Sequence, residues 1–239
     1  MINCKYEEKF FLRNSDFSYK DEIKPQAILE ILEEVAGRHA SQLNMGYLDC
    51  KEKGLAWVVI RTRIEILKDL INGENGFVET YPSKPGRIDC DRNYIIYDND
   101  HNICIKAVSK WILIDYNTRK IQRSNVVEFP SSLEETTIID MPKKIKIDDD
   151  VLLNNRENIK IKINDLDHNG HMNNARYAEI VFNTFKIDEF RKIKSFECEY
   201  IKELKYNEDA YILYDDIRNN YAIYNSNDEL SFVMRIDWR

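Results

Sequence analysis

The same order of predicted elements occurs twice along this chain: a short strand, a loop, a helix and several longer strands. In the first half a helix is predicted from residue 25 to about 43, and in the second half from about 174 to 185. One helix followed by antiparallel strands is an α+β pattern, in which the sheet must wrap the helix to bury its apolar face. The repeated order therefore favours two helix-and-sheet halves in tandem over the alternative of two unrelated α+β domains.

Each helix is predicted from apolar residues that recur every three to four positions, the spacing that gives a helix one apolar face. Pro25 suits the first turn of the first helix, and Asn173 can cap the second because its side chain can accept an N–H of the first turn. The apolar positions of the first helix are Ile28, Leu32 and Val35. Those of the second are Ala175, Ala178, Phe182 and Phe185.

The strands are predicted from alternating apolar residues that are bounded by turn residues. Residues 56–66 alternate most clearly, with Ile60 and Ile64 on one face and Arg61 and Arg63 on the other. The further strands of the first half are predicted at 77–81, 94–97 and 103–115. Those of the second half are predicted at 159–163, 196–204, 211–214, 221–224 and 231–236.

The segment between the two halves has the composition of a linker. It contains Pro130, two following serines, Pro142 and a pair of lysines, which are residues typical of turns and exposed connections. The sequence therefore predicts an N-terminal domain over 1–128, a linker over 129–152 and a C-terminal domain over 153–239.

Charge and cysteine content exclude several classes of protein. The net charge of −7 argues against a nucleic-acid partner. No run of about 18 apolar residues is present, so no membrane partner is expected. The five cysteines are odd in number and scattered, which favours reduced thiols in a cytoplasm over a disulfide framework. They are Cys4, Cys50, Cys90, Cys104 and Cys198.

Polar side chains are concentrated at 164–177, immediately before the second predicted helix. Asp167, Asn169 and His171 follow one another at a spacing of two. Backbone N–H groups at a helix start can stabilise the oxyanion that forms when a carbonyl is attacked. These side chains are therefore candidates for catalysis. Alternatively, Asp167 and Asn169 are turn residues and His171 is a core histidine that bonds to a main-chain carbonyl.

Residues 165–177 read Asp-Leu-Asp-His-Asn-Gly-His-Met-Asn-Asn-Ala-Arg-Tyr. This segment resembles the signature of plant and bacterial thioesterases that act on acyl carrier protein (ACP). Further segments are similar to that family in the same order along the chain: 54–61, 73–82, 92–98 and 107–120. The resemblance implies a double hotdog fold, in which each of two long helices is wrapped by an antiparallel sheet. It also implies hydrolysis of fatty acyl-ACP thioesters.

The resemblance implies four catalytic residues. Its Asp-x-Asn-x-His motif corresponds to Asp167, Asn169 and His171, and its glutamate on a following strand corresponds to Glu203. Plant members have a cysteine after this glutamate, whereas this chain has Leu204, which disfavours a thiol nucleophile. The chemistry of the residues leaves two questions open: whether His171 or Glu203 activates water, and whether Asp167 attacks the carbonyl or orients it. Glu203 could also be a charge on a solvated strand face.

The first half has no equivalent set of polar residues, because its loop at 14–19 lacks histidine. One active site is therefore expected, in the second half, and the resemblance implies that the first half contains the acyl tail. The residues predicted to bind substrate are Trp57, Val59, Arg92, Asn173 and Asn174. Core packing explains Trp57 and Val59 equally well.

No metal and no cofactor are expected. His168 and His171 are three positions apart, but the His-Glu-x-x-His helix of zinc hydrolases is absent from the sequence and no third ligand is evident. His39, His101 and His168 are therefore predicted to be structural or exposed to solvent.

The expected partner is acyl carrier protein with a fatty acyl chain on its phosphopantetheine. Carrier proteins are acidic and so is this chain, so docking requires a local basic patch. The two candidate clusters are Arg119, Lys120 and Arg123, and Lys143, Lys144 and Lys146. Solubilising charge explains either cluster equally well.

Three other functions are compatible with parts of the pattern. They are an acyl-CoA thioesterase of the hotdog superfamily, a hotdog dehydratase or hydratase, and a non-catalytic acyl-thioester-binding protein. The full motif argues against the dehydratase, and the intact Asp167, His171 and Glu203 argue against the non-catalytic protein. The sequence leaves open the acyl chain length, its saturation and whether the chain forms a homodimer.

Overall fold

A computed structural model describes residues 4–130, 133, 136–141, 144–145, 147, 155–167, 169–184, 191–215 and 219–239. These residues belong to two compact units. The first comprises Met1–Ile23 with Glu30–Met141, and the second comprises Lys24–Leu29 with Pro142–Arg239. Several residues used in the predictions lie outside the described part: the two serines after Pro130, Pro142, Lys143, Lys146, His168 and Phe185.

The first unit contains an antiparallel five-stranded sheet in the order β1-β3-β4-β5-β2. Its strands are β1 Tyr6–Phe11, β2 Leu55–Ile66, β3 Asn75–Pro82, β4 Asp89–Tyr97 and β5 Ile103–Asp115. Helix α2 spans Tyr47–Glu52, and helix α1 spans Pro25–Gln42, of which residues 25–29 belong to the second unit. The longest pairing joins β2 to β5, from Leu55 opposite Asp115 to Ile66 opposite Ile105.

Helix α1 buries the apolar stripe predicted from its spacing. Ile28, Leu32 and Val35 are each at most 3% exposed, and burying such a side chain stabilises the fold by about 1.5–3 kcal/mol. The short helix α2 was not predicted from the sequence. It begins just after Gly46, where a Cβ would lie 2.8 Å from Ser41 Cα, so only glycine permits this close approach of backbone to α1.

Strand β4 begins at Asp89, five residues before the predicted start at residue 94. Its first residues are polar, so alternation of apolar residues does not reveal them. Lys110 on β5 compensates this polarity, because its ammonium lies 3.0 Å from Asp89 Oδ2 and 2.7 Å from Asp91 Oδ1. Ion pairs between neighbouring strands thus extend β4 beyond its apolar part.

The second unit contains another antiparallel five-stranded sheet, in the order β7-β10-β9-β8-β6. Its strands are β6 Arg156–Lys160, β7 Ile193–Tyr200, β8 Asp209–Asp215, β9 Asn220–Asn225 and β10 Leu230–Trp238. Helix α3 spans Asn174–Asn183. The predicted N-cap is confirmed, since the Ala175 N–H donates to Asn173 Oδ1 at 2.9 Å.

Two strands of the second unit end earlier than predicted. Strand β6 ends at Lys160, and residues 163–165 form a 3₁₀ turn instead of continuing the strand. Strand β7 ends at Tyr200 instead of residue 204, because the N–H groups of Ile201 and Lys202 both donate to Ser231 O and the ladder with β10 stops there. Glu203 therefore lies in a loop and not on a strand.

The described residues contain no disulfide, although all five cysteines are among them. Within the same residues, every helix is too short or too polar to cross a bilayer.

Candidate active site

The loop between the 3₁₀ turn and α3 is closed by its own backbone. The Asp167 N–H donates to His171 O at 2.7 Å, and the Gly170 N–H donates to Asp167 O at 3.1 Å. Gly170 has φ +79°, in the left-handed region that L side chains rarely adopt. This turn holds the backbone of His171 against that of Asp167.

The Asp167 carboxylate stabilises the same loop. Its Oδ1 accepts the N–H groups of Asn169 at 2.8 Å and His171 at 3.1 Å. Its Oδ2 lies 3.4 Å from Asn169 Nδ2. Asp167 is half-buried and Asn169 is exposed. The carboxylate thus has the hydrogen bonds typical of a turn aspartate while also lying beside His171.

Glu203 lies next to His171 although the two residues are far apart in sequence. His171 Nε2 is 3.4 Å from Glu203 Oε2, and the two side chains are 29% and 37% exposed. Backbone pairing produces this proximity: His171 forms a β-bridge with Lys205, and the Met172 N–H donates to Leu204 O at 2.9 Å. The loop that carries Glu203 is therefore fixed against the loop that carries His171.

The four predicted catalytic residues thus form two contacting pairs in one unit. Asp167 and Asn169 form the first pair, and His171 and Glu203 form the second. The backbone N–H of His171 joins them through Asp167 Oδ1. This arrangement provides an imidazole that can accept a proton, a carboxylate that can stabilise the resulting imidazolium, and a second carboxylate that accepts the backbone N–H of His171.

Asn173 and Asn174 lie at the start of α3, next to these pairs in sequence. The Asn173 side chain caps the helix, and the Asn174 carbonyl lies 3.4 Å from the Tyr200 hydroxyl. Both residues are half-buried. Their predicted contact with substrate stays a prediction.

Trp57 and Val59 lie in the first unit. Val59 is 4% exposed. The Trp57 indole N–H donates to Met45 O at 3.1 Å, and its ring meets Phe129 edge to face at 6.2 Å. Trp57 packs against a buried cluster formed by Leu43, Met45, Cys50, Leu113 and Val127. Core packing accounts for these contacts, and a role in the acyl pocket stays a prediction.

Arg92, also in the first unit, is a buried guanidinium on β4. Its Nη1 lies 3.1 Å from His39 Nδ1 and 3.3 Å from Thr80 Oγ1. Burial lowers the pKa of Arg92. Because a guanidinium only donates, His39 must accept through Nδ1 and carry its proton on Nε2. His39 is fully buried and joins α1 to β4.

Of the remaining histidines, only His101 lies among the described residues. His101 stacks on Phe77 with ring centroids 4.1 Å apart, and His168 lies outside the described residues. Across the described ranges, no three His, Cys, Asp or Glu side chains are grouped as metal ligands would be.

No role was predicted for Tyr177, which is part of the motif and lies on α3 in the structure. The Leu204 N–H donates to its hydroxyl at 3.0 Å. Tyr177 is 3% exposed, and its position beside Ala178 on the apolar stripe is typical of simple core packing. Tyr177 and Leu204 are 27 residues apart, and a hydrogen bond over that separation produces no periodic pattern in a single sequence.

Two family models match nearly the whole chain. The acyl-ACP thioesterase N-terminal domain matches residues 3–127, and the acyl-ACP thioesterase C-terminal domain matches residues 149–239. The chain belongs to the acyl-ACP thioesterase family. The resemblance inferred from the motif is therefore confirmed.

Two curated relatives of the chain come from plants. An oleoyl-acyl carrier protein thioesterase of Coriandrum sativum is 29% identical over 72% of this chain and 51% of its own length. A palmitoyl-acyl carrier protein thioesterase of Arabidopsis thaliana is 25% identical over 83% of this chain and 52% of its own length. The chain thus spans about half the length of the curated relatives that it matches.

Two solved structures share the fold. An acyl-ACP thioesterase from Bacteroides thetaiotaomicron superposes with a TM-score of 0.87 at 23% identity and covers 98% of both chains. The 12:0-ACP thioesterase from Umbellularia californica gives a TM-score of 0.84 at 21% identity, over 99% of this chain and 98% of its own. The prediction of a double hotdog α+β fold is confirmed.

Proposed function

We propose that this chain hydrolyses fatty acyl-ACP thioesters to free fatty acid and holo-ACP. The observation that carries the proposal is the pairing of His171 with Glu203 at 3.4 Å beside the Asp167 loop. Membership of the acyl-ACP thioesterase family supports the same substrate class. Curated relatives are named for oleoyl and palmitoyl carrier-protein thioesters.

In the proposed reaction, water is the nucleophile and His171 is the general base. His171 accepts a proton from water as the oxygen attacks the thioester carbon, and Glu203 stabilises the imidazolium. The tetrahedral intermediate then breaks its carbon–sulfur bond. The proton on His171 passes to the departing phosphopantetheine sulfur, so the products are a fatty acid and a thiol. No cofactor enters this balance.

Asp167 is assigned to orientation in this proposal. Its Oδ1 already accepts two backbone N–H groups, which stabilise negative charge and lower the nucleophilicity of that oxygen. Attack by the carboxylate would instead form a mixed anhydride between Asp167 and the acyl group. A single turnover in ¹⁸O-labelled water separates the two routes. Direct attack by water puts the label in the fatty acid. An anhydride that water opens at the Asp167 carboxyl carbon instead leaves an unlabelled protein oxygen in the first fatty acid and the label in Asp167.

The start of α3 is the proposed site of the oxyanion. In the first turn of α3 the Ala175 N–H donates to Asn173 Oδ1 and the Arg176 N–H donates to Asn173 O. The backbone N–H of Asn174, at the positive end of the helix dipole, is therefore the donor proposed for the oxyanion. Asn173 and Asn174 would bind the thioester there. Asn174→Ala, with its KM and kcat measured separately, tests the role of the Asn174 side chain.

The two halves have separate proposed roles. Residues 153–239 supply the catalytic groups, residues 1–128 contain the acyl tail, and residues 129–152 link them. Trp57 and Val59 would line the acyl pocket, with Arg92 as the polar residue beside it. Conservative changes of size at Trp57 should then change chain-length preference more than the rate of the chemical step.

The proposed partner is acyl carrier protein, with no nucleic acid and no membrane involved. A cytoplasmic location is part of the proposal, because cysteines without disulfides suit a reducing compartment. The homodimer left open by the sequence is tested by light scattering of the purified protein.

The deciding experiment is hydrolysis of a panel of acyl-ACPs of different length, with the fatty acids identified by mass spectrometry. The same acyl groups on coenzyme A are the control. Faster release from ACP supports the proposal. Faster release from coenzyme A identifies an acyl-CoA thioesterase, and binding without release identifies a non-catalytic acyl-thioester-binding protein.

A further inference from the structure

The buried hydroxyl of Tyr177 lies where the two catalytic loops meet. Tyr177 is on α3 and 3% exposed. The Leu204 N–H donates to its hydroxyl at 3.0 Å, and Leu204 is fully buried. Leu204 follows Glu203 directly, so this hydrogen bond fixes the backbone of the residue next to the catalytic glutamate.

Leu204 is held from both sides. Its N–H bonds to Tyr177, and its carbonyl accepts the Met172 N–H at 2.9 Å. Met172 follows His171, and Glu203 precedes Leu204. The hydrogen bond from Met172 to Leu204 therefore joins the His171 segment directly to the Glu203 segment. The hydrogen bond from Leu204 to Tyr177 joins the Glu203 segment to α3.

The ring of Tyr177 is fixed by other aromatic residues. Its centroid lies 5.0 Å from that of Phe232 and 6.0 Å from that of Tyr200. Such contacts restrict the ring to one orientation, so the position of its hydroxyl is well defined. The hydroxyl is therefore a rigid acceptor for the loop.

The hydroxyl is also electrically suited to this position. Burial raises the pKa of Tyr177, and the nearby carboxylates of Glu203, Glu208 and Asp167 raise it further. The phenol therefore stays neutral, and it can accept an N–H without adding a charge beside these carboxylates. A charged acceptor at this place would repel Glu203.

We propose that Tyr177 is a positioning residue, which fixes Glu203 relative to His171 through the hydrogen bond it accepts from Leu204. The inference rests on the proposed function. An enzyme that loses this hydrogen bond keeps its aromatic packing but lets the Glu203 segment move, and small displacements of a catalytic group slow the chemical step more than they weaken binding.

The test is Tyr177→Phe, which removes the hydroxyl and keeps the ring. We expect kcat for acyl-ACP to fall on the order of tenfold, with KM changed by less than about twofold. The matched control is Tyr211→Phe, which removes a hydroxyl on β8 that donates to Asp228 Oδ1 at 2.7 Å. We expect its kcat to stay within about twofold of wild type.

A double-mutant cycle with Glu203→Gln separates positioning from general structural support. If Tyr177 acts through Glu203, Tyr177→Phe has little further effect once Glu203 is replaced. An equal fall in kcat in both backgrounds, or no fall in the wild-type background, overturns the proposal.

Amide hydrogen exchange gives a second measurement that does not depend on activity. Tyr177→Phe should speed exchange at the Leu204 N–H by about tenfold, while Tyr211→Phe leaves it unchanged. An unchanged exchange rate at the Leu204 N–H in Tyr177→Phe contradicts the claim that the Tyr177 hydroxyl fixes this backbone. A wild-type protein that releases no fatty acid contradicts the proposed function instead, so the two failures are distinguishable.

Discussion

His171 Nε2 lies 3.4 Å from Glu203 Oε2. The distance is longer than a strong hydrogen bond, as is common for catalytic groups without substrate. The β-bridge between His171 and Lys205 fixes the two backbones, so only small side-chain rotations are needed to shorten the contact. The pair thus provides a preorganised base and its supporting carboxylate.

The first prediction concerns this carboxylate. Glu203→Gln should lower kcat by about 10–100-fold and change KM little, because glutamine cannot stabilise a charged imidazolium. Steady-state kinetics on acyl-ACP measures both constants. Glu157→Gln, which makes the same change at an exposed position on β6, is the control and should behave as wild type. Equal activity of the two variants would remove Glu203 from the mechanism.

Asp167 can be tested without disturbing its loop. Asp167→Asn keeps an oxygen that can accept the Asn169 and His171 N–H groups, so the melting temperature should hardly change. Activity should fall by about 10²–10⁴-fold, because the negative charge is lost. Asp167→Ala should lose both the charge and the loop hydrogen bonds, at an additional cost of about 1 kcal/mol in stability. Near-normal turnover of a folded Asp167→Asn protein contradicts the assignment.

Gly170 should be intolerant of any side chain. Gly170→Ala places a Cβ at φ +79°, which costs about 1–2 kcal/mol and displaces the loop. The melting temperature and kcat should both fall. Gly37→Ala is the matched control, since Gly37 lies within α1 with open space around its Cβ position, and it should stabilise the protein by about 0.5–1 kcal/mol. A Gly170→Ala variant with unchanged stability and rate argues against a strained loop.

Carrier-protein docking is tested at the basic cluster that the structure describes. Reversing charge with Arg119→Glu and Lys120→Glu should raise KM for acyl-ACP, because electrostatic attraction to an acidic partner is lost. KM for a short acyl thioester without a protein should stay unchanged. Lys194→Glu, at an exposed position on β7, serves as the control. Equal effects on both substrates exclude this cluster as the docking surface.

Periodicity predicts the elements whose burial alternates regularly. Helix α1 was predicted correctly because Ile28, Leu32 and Val35 lie on the same face of the helix and are all buried. The start of β4 escaped detection because Asp89 and Asp91 are compensated by Lys110, a residue on another strand. Helix α2 is short and lacks two full turns of apolar pattern, so the local sequence alone could not indicate it.

The motif was sufficient to predict the candidate site residues, but their relative positions could be seen only in the folded structure. The sequence assigned Glu203 to a strand, since its neighbours continue the alternation of β7. In the structure the ladder ends at Tyr200, and Leu204 pairs instead with Met172. The role of Tyr177 depends on a hydrogen bond to a distant backbone, which no pattern in one sequence can reveal.

The most direct test of the central claim is fatty acid release from acyl-ACP by wild type and by His171→Ala in a single-turnover experiment. The account predicts rapid release by wild type and at least about a hundredfold slower release by the variant, with both proteins folded. Release at the same rate by both proteins would contradict the claim that this imidazole activates the attacking water.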